Sequence, residues 1–175
     1  VSHIEKITGE LRALTTGVDR AQALASAADN QAQEVALRAA GAGFAAVAAG
    51  VLRVRDGISV VRGSLGSLAT TIGEATKATA AVPQEASPHE TITGLAPVRN
   101  ACDGIRDAAT ATAAQVRETR QLVTTILHGG QPGPLVQSLE SITQVLSLVA
   151  QRTVSARQAV ETAIAEARQL GSAGN

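Results

Sequence analysis

The chain has 175 residues, of which 45% are apolar, 17% charged and 1% aromatic, with 15 Lys and Arg against 15 Asp and Glu. That length holds one compact domain or two small repeats. The zero formal charge leaves no excess to grip phosphate backbones or anionic lipid, so generic nucleic-acid binding is disfavoured.

Val1 to Glu10 mixes His3, Glu5 and Lys6 with apolar residues, unlike the charged n-region and continuous apolar h-region of a secretory signal. A cytoplasmic location is expected, with leaderless secretion left open. Ser2 followed by Glu5 reads as a capping box. From there apolar residues recur at alternating steps of three and four through Ile4, Ile7, Leu11, Leu14, Val18, Ala21, Ala25, Ala28, Ala32, Val35 and Ala39. This is a coiled-coil seam.

The phase slips at Gly41-Ala42-Gly43, where a turn is expected. Phe44 opens the second seam and is expected to close the hairpin end. The seam continues through Val47, Val51, Val54, Ile58, Val61, Leu65, Leu68, Ile72 and Ala75 to Thr79. Residues 83–88 break the chain between Pro83 and Pro88. Ser87 with Glu90 repeats the capping box, and Pro88 suits a first helical position.

The third seam runs through Leu95, Val98, Cys102, Ile105, Ala109, Thr112, Val116, Thr119, Val123 and Ile126, with Pro97 expected to kink it or delay its regular start. Gly129, Gly130, Pro132, Gly133 and Pro134 signal a turn. A fourth seam, from Leu135 through Leu139, Ile142, Leu146, Val149, Thr153, Ala156, Val160, Ala163 and Ala167 to Leu170, ends at Gly171.

The reading is therefore all-α: two antiparallel helical hairpins, over 1–82 and 89–171, joined by a linker at 83–88 and followed by a disordered tail at 172–175. Each of the four coiled-coil-like helices would have roughly 35 to 40 residues and a length on the order of 55 Å, together forming a four-helix bundle. Side-chain size supports the hairpins. Ala32, Ala28, Ala25 and Ala21 would face Val51, Val54, Ile58 and Val61, while Ile7 and Ile4 would face Ala75 and Thr79. Ile105, Val98 and Leu95 would likewise face Ala156, Ala163 and Ala167. Whether the hairpins pack within one chain or between chains is open at this level, because both arrangements satisfy the seams.

Ala39 to Leu52 falls short of the roughly 18 to 20 apolar residues a membrane span needs, and Gln121 to Leu139 is broken by Gly and Pro. No stable membrane insertion is expected. Gly50, Gly57, Gly63, Gly66 and Gly73 each cost roughly 1 kcal/mol relative to Ala inside a helix, so their face is expected to be packed by the other hairpin or another subunit. Arg53, Arg55 and Arg62, interrupted by Asp56, form a small basic cluster suited to partner contacts or to simple solvation.

The remaining polar residues suggest no chemistry, and no catalytic, cofactor-binding or metal-ligating residue is assigned. Gly41-Ala42-Gly43-Phe44-Ala45-Ala46 matches a relaxed dinucleotide fingerprint, but no strand precedes it. His3 and His89 would share one bundle end without a Glu-x-x-His motif, and His128 would cap a helix at the other end. Cys102, the only cysteine, reads as a small buried hydrophobe. Asp103 and Asp107, with Arg99 and Arg106 nearby, resemble a solvated helix face. Thr79, Thr112, Thr119 and Thr153 are expected to hydrogen-bond their own helices.

The segments IEKITGELRALTTGVDRAQALASAADNQAQEVALRAAGAGFAAVAAG, VPQEASPHETITGLAPV and AIAEARQLGSAGN resemble an uncharacterised actinobacterial family of small Ala-rich helical proteins. Each half also remotely resembles the WXG-type helical hairpins of type VII secretion. Gly43-Phe44 stands where that family carries its W-x-G turn, and the chain has no Tyr for the family's tyrosine-based export signal. The four seams, the Gly-bearing close-approach face and the absence of a convergent polar constellation point to a non-enzymatic helical interaction or assembly protein, whose partner is itself or another helical protein. The remote resemblance implies a relation to type VII secretion, and the uncharacterised family implies no activity. The alternative is a carrier of a small apolar ligand or lipid in an opening bundle.

Overall fold

Both capping boxes form. The Ser2 hydroxyl accepts from Glu5 N at 3.2 Å while Ser2 N donates to Glu5 Oε2 at 2.9 Å. Ser87 and Glu90 repeat the arrangement at 3.3 and 2.8 Å, and these bonds hold the Glu90 carboxyl below its ordinary pKa. In the computed structural model, which describes residues 2–130 and 133–174, the boxes open the first and third of four helices. These are α1 (His3–Gly41), α2 (Ala45–Ala80), α3 (Pro88–Ile126) and α4 (Gly133–Ala173).

The first reversal lies where the seam changes phase. Gly43 takes φ +83°, and Phe44 N donates back to Ala39 O at 2.8 Å, satisfying a carbonyl that the ended helix leaves free. Phe44 does not close the hairpin end. It occupies the non-helical N-cap of α2 with its side chain 62% exposed, and burial of the seam begins beyond it. The cause is the left-handed glycine, which swings the following residue off the helical path before α2 starts.

α3 begins at Pro88 and passes through Pro97, so the proline does not delay the helix. Pro97 and Thr93 are both on the exposed side, where water replaces the donor that the Thr93 carbonyl loses. α4 likewise runs two residues past Gly171, to Ala173, so the helix includes the start of the segment read as a tail. Pro132 in the second turn and Asn175 lie outside the described residues.

Each helix touches two neighbours: α1 packs on α2 and α4, and α3 packs on the same two. The two hairpins thus complete one up-down-up-down bundle within a single chain. Polar bridges fix its register: Asp29 with Arg55 across α1 and α2, Ser64 with Gln115 across α2 and α3, Arg120 with Glu140 across α3 and α4, and Gln31 with Ser138 across α1 and α4.

In that register the core forms levels of four buried residues with large and small side chains complementing one another. Leu11 and Ile72 share a level with Ile105 and Ala156, whereas Ala25 and Ile58 share one with Thr119 and Ile142. Bulk is lost along both α1 and α4, and because these helices run antiparallel the small end of each lies beside the large end of the other, so cross-section is conserved. The four buried threonines donate to carbonyls one turn back: Thr79 to Ala75, Thr112 to Ala108, Thr119 to Gln115 and Thr153 to Val149, at 2.7 to 3.0 Å. Their hydroxyls are satisfied without partners from other helices.

Because Pro97 contributes no buried contact and removes one helix bond, Pro97→Ala should raise stability by about 2 kcal/mol in chemical denaturation. No gain, or a loss, would show that the proline holds a conformation that the bundle needs.

Candidate functional site

The five glycines of α2 divide into two groups. A Cβ on Gly50 would lie 3.0 Å from the Ile126 side chain, and one on Gly57 would lie 2.7 Å from Thr119 Oγ1. Both therefore let α3 approach closely, and the second hairpin covers this edge of α2. Gly63, Gly66 and Gly73 have no such neighbour within 4 Å and stand away from the bundle interior. Within the chain only Gly50 and Gly57 are packed by the other hairpin, because the helix rotates the last three away from it.

Two further close approaches escaped the reading of the sequence. A Cβ on Gly17 would lie 2.7 Å from Val149, and one on Gly94 would lie 2.8 Å from Val82, which plugs the linker end of the bundle. The signal was present. Gly17, Gly50, Gly57 and Gly94 each immediately precede a buried seam residue, respectively Val18, Val51, Ile58 and Leu95.

The arginine cluster also divides. Arg55 turns toward α1 and grips Asp29 with two hydrogen bonds, Nε to Oδ1 at 2.9 Å and Nη2 to Oδ2 at 3.3 Å. Arg55 is thereby an internal clamp, while Arg53 and Arg62 remain exposed. The Arg55 hydrogen bonds hold the Asp29 carboxyl below its ordinary pKa, opposed by burial and aided by the charges of Arg55 and Arg62. The clamp's contribution is complete above the ordinary carboxylate pKa and is lost as pH falls through the lowered value.

Other titratable groups also bind within the bundle. His3 Nε2 meets Glu166 Oε2 at 2.6 Å across α1 and α4, and Glu10 lies 3.1 Å from Arg152 Nε on the same side. His128 stands beyond the end of α3, beside Thr124 and Thr125. Asp103, although exposed, is paired: its Oδ1 lies 2.8 Å from Arg157 Nε across α3 and α4.

Arg157 also reaches Glu161 at 3.2 Å, and together these groups roof a narrow crevice of about 140 Å³ above Cys102. The thiol is fully buried. Burial, reinforced by the Asp103 charge and partly offset by Arg157, pushes its pKa up from 9.0 to about 11. That is the wrong direction for a nucleophile, which needs a stabilised thiolate.

Two further recesses open on the surface. An open groove between α1 and α4 is lined by Ala13, Gly17, Arg20, Leu148 and Arg152, with Leu148 61% exposed at its edge. A crevice of about 210 Å³ at the linker end is lined by Ile4, Val82, Pro83, Ala167 and Leu170, beside the His3 and Glu166 pair. Among the described residues no helix is long and apolar enough to cross a membrane.

Residues 86–172, nearly all of α3 and α4, match the model of a family of unknown function (DUF6244). No curated protein and no solved structure matches the chain. The match coincides with the second hairpin, from one residue before its Ser87 cap to the last turn of α4.

The division of the glycines makes opposite mutational effects. Gly57→Ala should destabilise the fold by about 1 to 3 kcal/mol, because β-branched Thr119 is held by its bond to Gln115 and cannot yield freely. Gly63→Ala should stabilise by about 0.5 to 1 kcal/mol, and equal effects in denaturant titrations would contradict the geometry. For the thiol, the unfolded chain releases its proton near pH 9 and the folded one only near 11. Stability should therefore fall as pH rises across that window, and Cys102→Ala should remove this part of the fall. A wild-type protein whose native thiol reacts with a small disulfide reagent as fast as the unfolded chain would contradict the burial.

Proposed function

We propose that the protein is a non-enzymatic helical interaction module, which presents the outer faces of a closed bundle to another helical surface. The observation that carries this reading is the distribution of polar and apolar groups. The four buried hydroxyls are bonded to their own helices, and the buried thiol has a raised pKa, so the core supplies no activated group. Meanwhile Leu37, Phe44, Leu52, Val60, Leu148 and Leu170 stand exposed on the outside, where they gain nothing within the chain. Stability is supplied inside and recognition outside.

A finer reading, a relation to the hairpins of type VII secretion, draws support from the shape of each half: two long helices joined by a short turn, with glycine at Gly43 in the first. The alternative, a carrier of small apolar molecules, draws support from the linker-end crevice between Ile4, Val82 and Leu170. Its volume of about 210 Å³ suits a small apolar molecule better than a long acyl chain.

Replacing Leu37, Leu52, Val60 and Leu148 individually by Gln tests the leading reading. Each variant should keep its melting behaviour to within about 0.5 kcal/mol, since these side chains lie outside the core, while at least one should lose the cross-linked species formed by the wild type in its native cells. A wild type that gives no cross-linked protein species, but releases a stoichiometric apolar compound on solvent extraction, would replace this reading with the carrier.

A further inference from the structure

The outer face of α2 is unpartnered and carries exposed charges of both signs, among them Arg53 and Glu74. Leu52 and Val60 are each 54% exposed there, followed by the exposed Gly63 and Gly73 and the half-exposed Gly66. Glycine inside a helix is unfavourable, and at these three positions nothing within 4 Å compensates in the single chain. The largest uncompensated helical cost of the fold thus coincides with exposed apolar side chains.

The charges specify what can cover this face. Arg53 lies ten positions before Gly63 and Glu74 eleven after it, both exposed and both on the same side of the helix, three heptads apart. Among the described residues neither makes an ion pair within the chain, although Arg55 and Asp29 nearby do. Arg53 and Glu74 are equidistant from the point midway between Gly63 and Ser64, so reversing one α2 against another about that point brings each Arg53 to the other copy's Glu74. The same operation places Val60 opposite Ser67 and leaves Gly63 beside the axis, where the absence of a side chain permits close backbone approach.

We propose that a second copy of this chain docks antiparallel on the outer face of α2, the two helices crossing beside Gly63 with Arg53 of each copy paired to Glu74 of the other. This rests on the interaction reading above and names the partner. The bundle core is already closed within one chain, so association leaves the fold of each copy unchanged. The interface is isologous and closes at two subunits, because the one face is used up by the pairing. Because each copy is already a closed bundle, the pairing is concentration-dependent rather than permanent.

The test is the molar mass of the full chain by light scattering after size exclusion, from about 1 µM to about 1 mM. The wild type should shift from 17.7 kDa toward twice that mass as concentration rises. Arg53→Glu or Glu74→Arg alone should weaken association by about tenfold, and the two together should restore it, since the double reversal rebuilds both pairs. Gly63→Leu should leave the chain monomeric throughout. All four variants should retain wild-type helicity, because Arg53 and Glu74 are exposed, and Gly63 is exposed with nothing within 4 Å of a Cβ added there.

A wild-type mass of 17.7 kDa at every concentration overturns the proposal. So does a dimer indifferent to Gly63→Leu, or one that the double reversal fails to restore. In those last two cases the copies meet elsewhere and the broader interaction reading survives. In the first, that reading stands or falls on the cross-linking of the Leu variants.

Discussion

The structure depends on keeping the cross-section of its core constant along four long helices. With almost no aromatic residues, and its single Phe on the outside, the chain must fill every level with Leu, Ile, Val, Thr, Cys and Ala. A level that received four large residues would push the helices apart, and one with four alanines would leave a void. The gradient from Ile and Leu to Ala along α1, repeated along the antiparallel α4, meets this constraint. It also opposes slippage, because a shift by one heptad would put large against large at one end and small against small at the other.

Polar contacts at the edges of the seams act on top of that constraint. Asp29 with Arg55, His3 with Glu166, Glu10 with Arg152 and Arg120 with Glu140 each join neighbouring helices rather than neighbouring turns of one helix. Pairs of this exposure contribute little individually, typically up to about 1 kcal/mol, but they distinguish one helix order from another. The contact between α2 and α3 uses a different device. There Gly50 and Gly57 admit Ile126 and Thr119, with the neutral bond between Ser64 and Gln115 alongside. Close backbone approach replaces charge pairing at that edge.

The same residue type therefore has two physical meanings in one helix. At Gly50 and Gly57 the missing side chain is occupied by a neighbour, so its helical cost is offset by packing. At Gly63, Gly66 and Gly73 it is not, and the cost remains visible on a surface that also carries Leu52 and Val60. The arginines follow the same division: Arg55 is committed to the fold, whereas Arg53 is available to another molecule. The buried hydroxyls of Thr79, Thr112, Thr119 and Thr153 are bonded to their own helices, which is why the proposed interaction role falls to the outer faces.

The sequence by itself determined the four helices, their caps and their seams, because each depends on local chemistry and on periodicity along one chain. Ser2 with Glu5, the turn at Gly43 and the backbone bonding of Thr79 or Thr153 needed no knowledge of distant residues. The passage of α3 through Pro97 did require it, since the helix is maintained by burial of Leu95 and Val98 around a proline that faces water. Only the tertiary structure decided that both hairpins close a single bundle and which glycines are covered. It also decided that Arg55 belongs to Asp29 and that Asp103 holds Arg157 over Cys102. The reason is that periodicity gives each helix an apolar stripe and two flanking edges. Which neighbour meets each edge depends on the packing order of four helices, a property of the assembled bundle rather than of any segment.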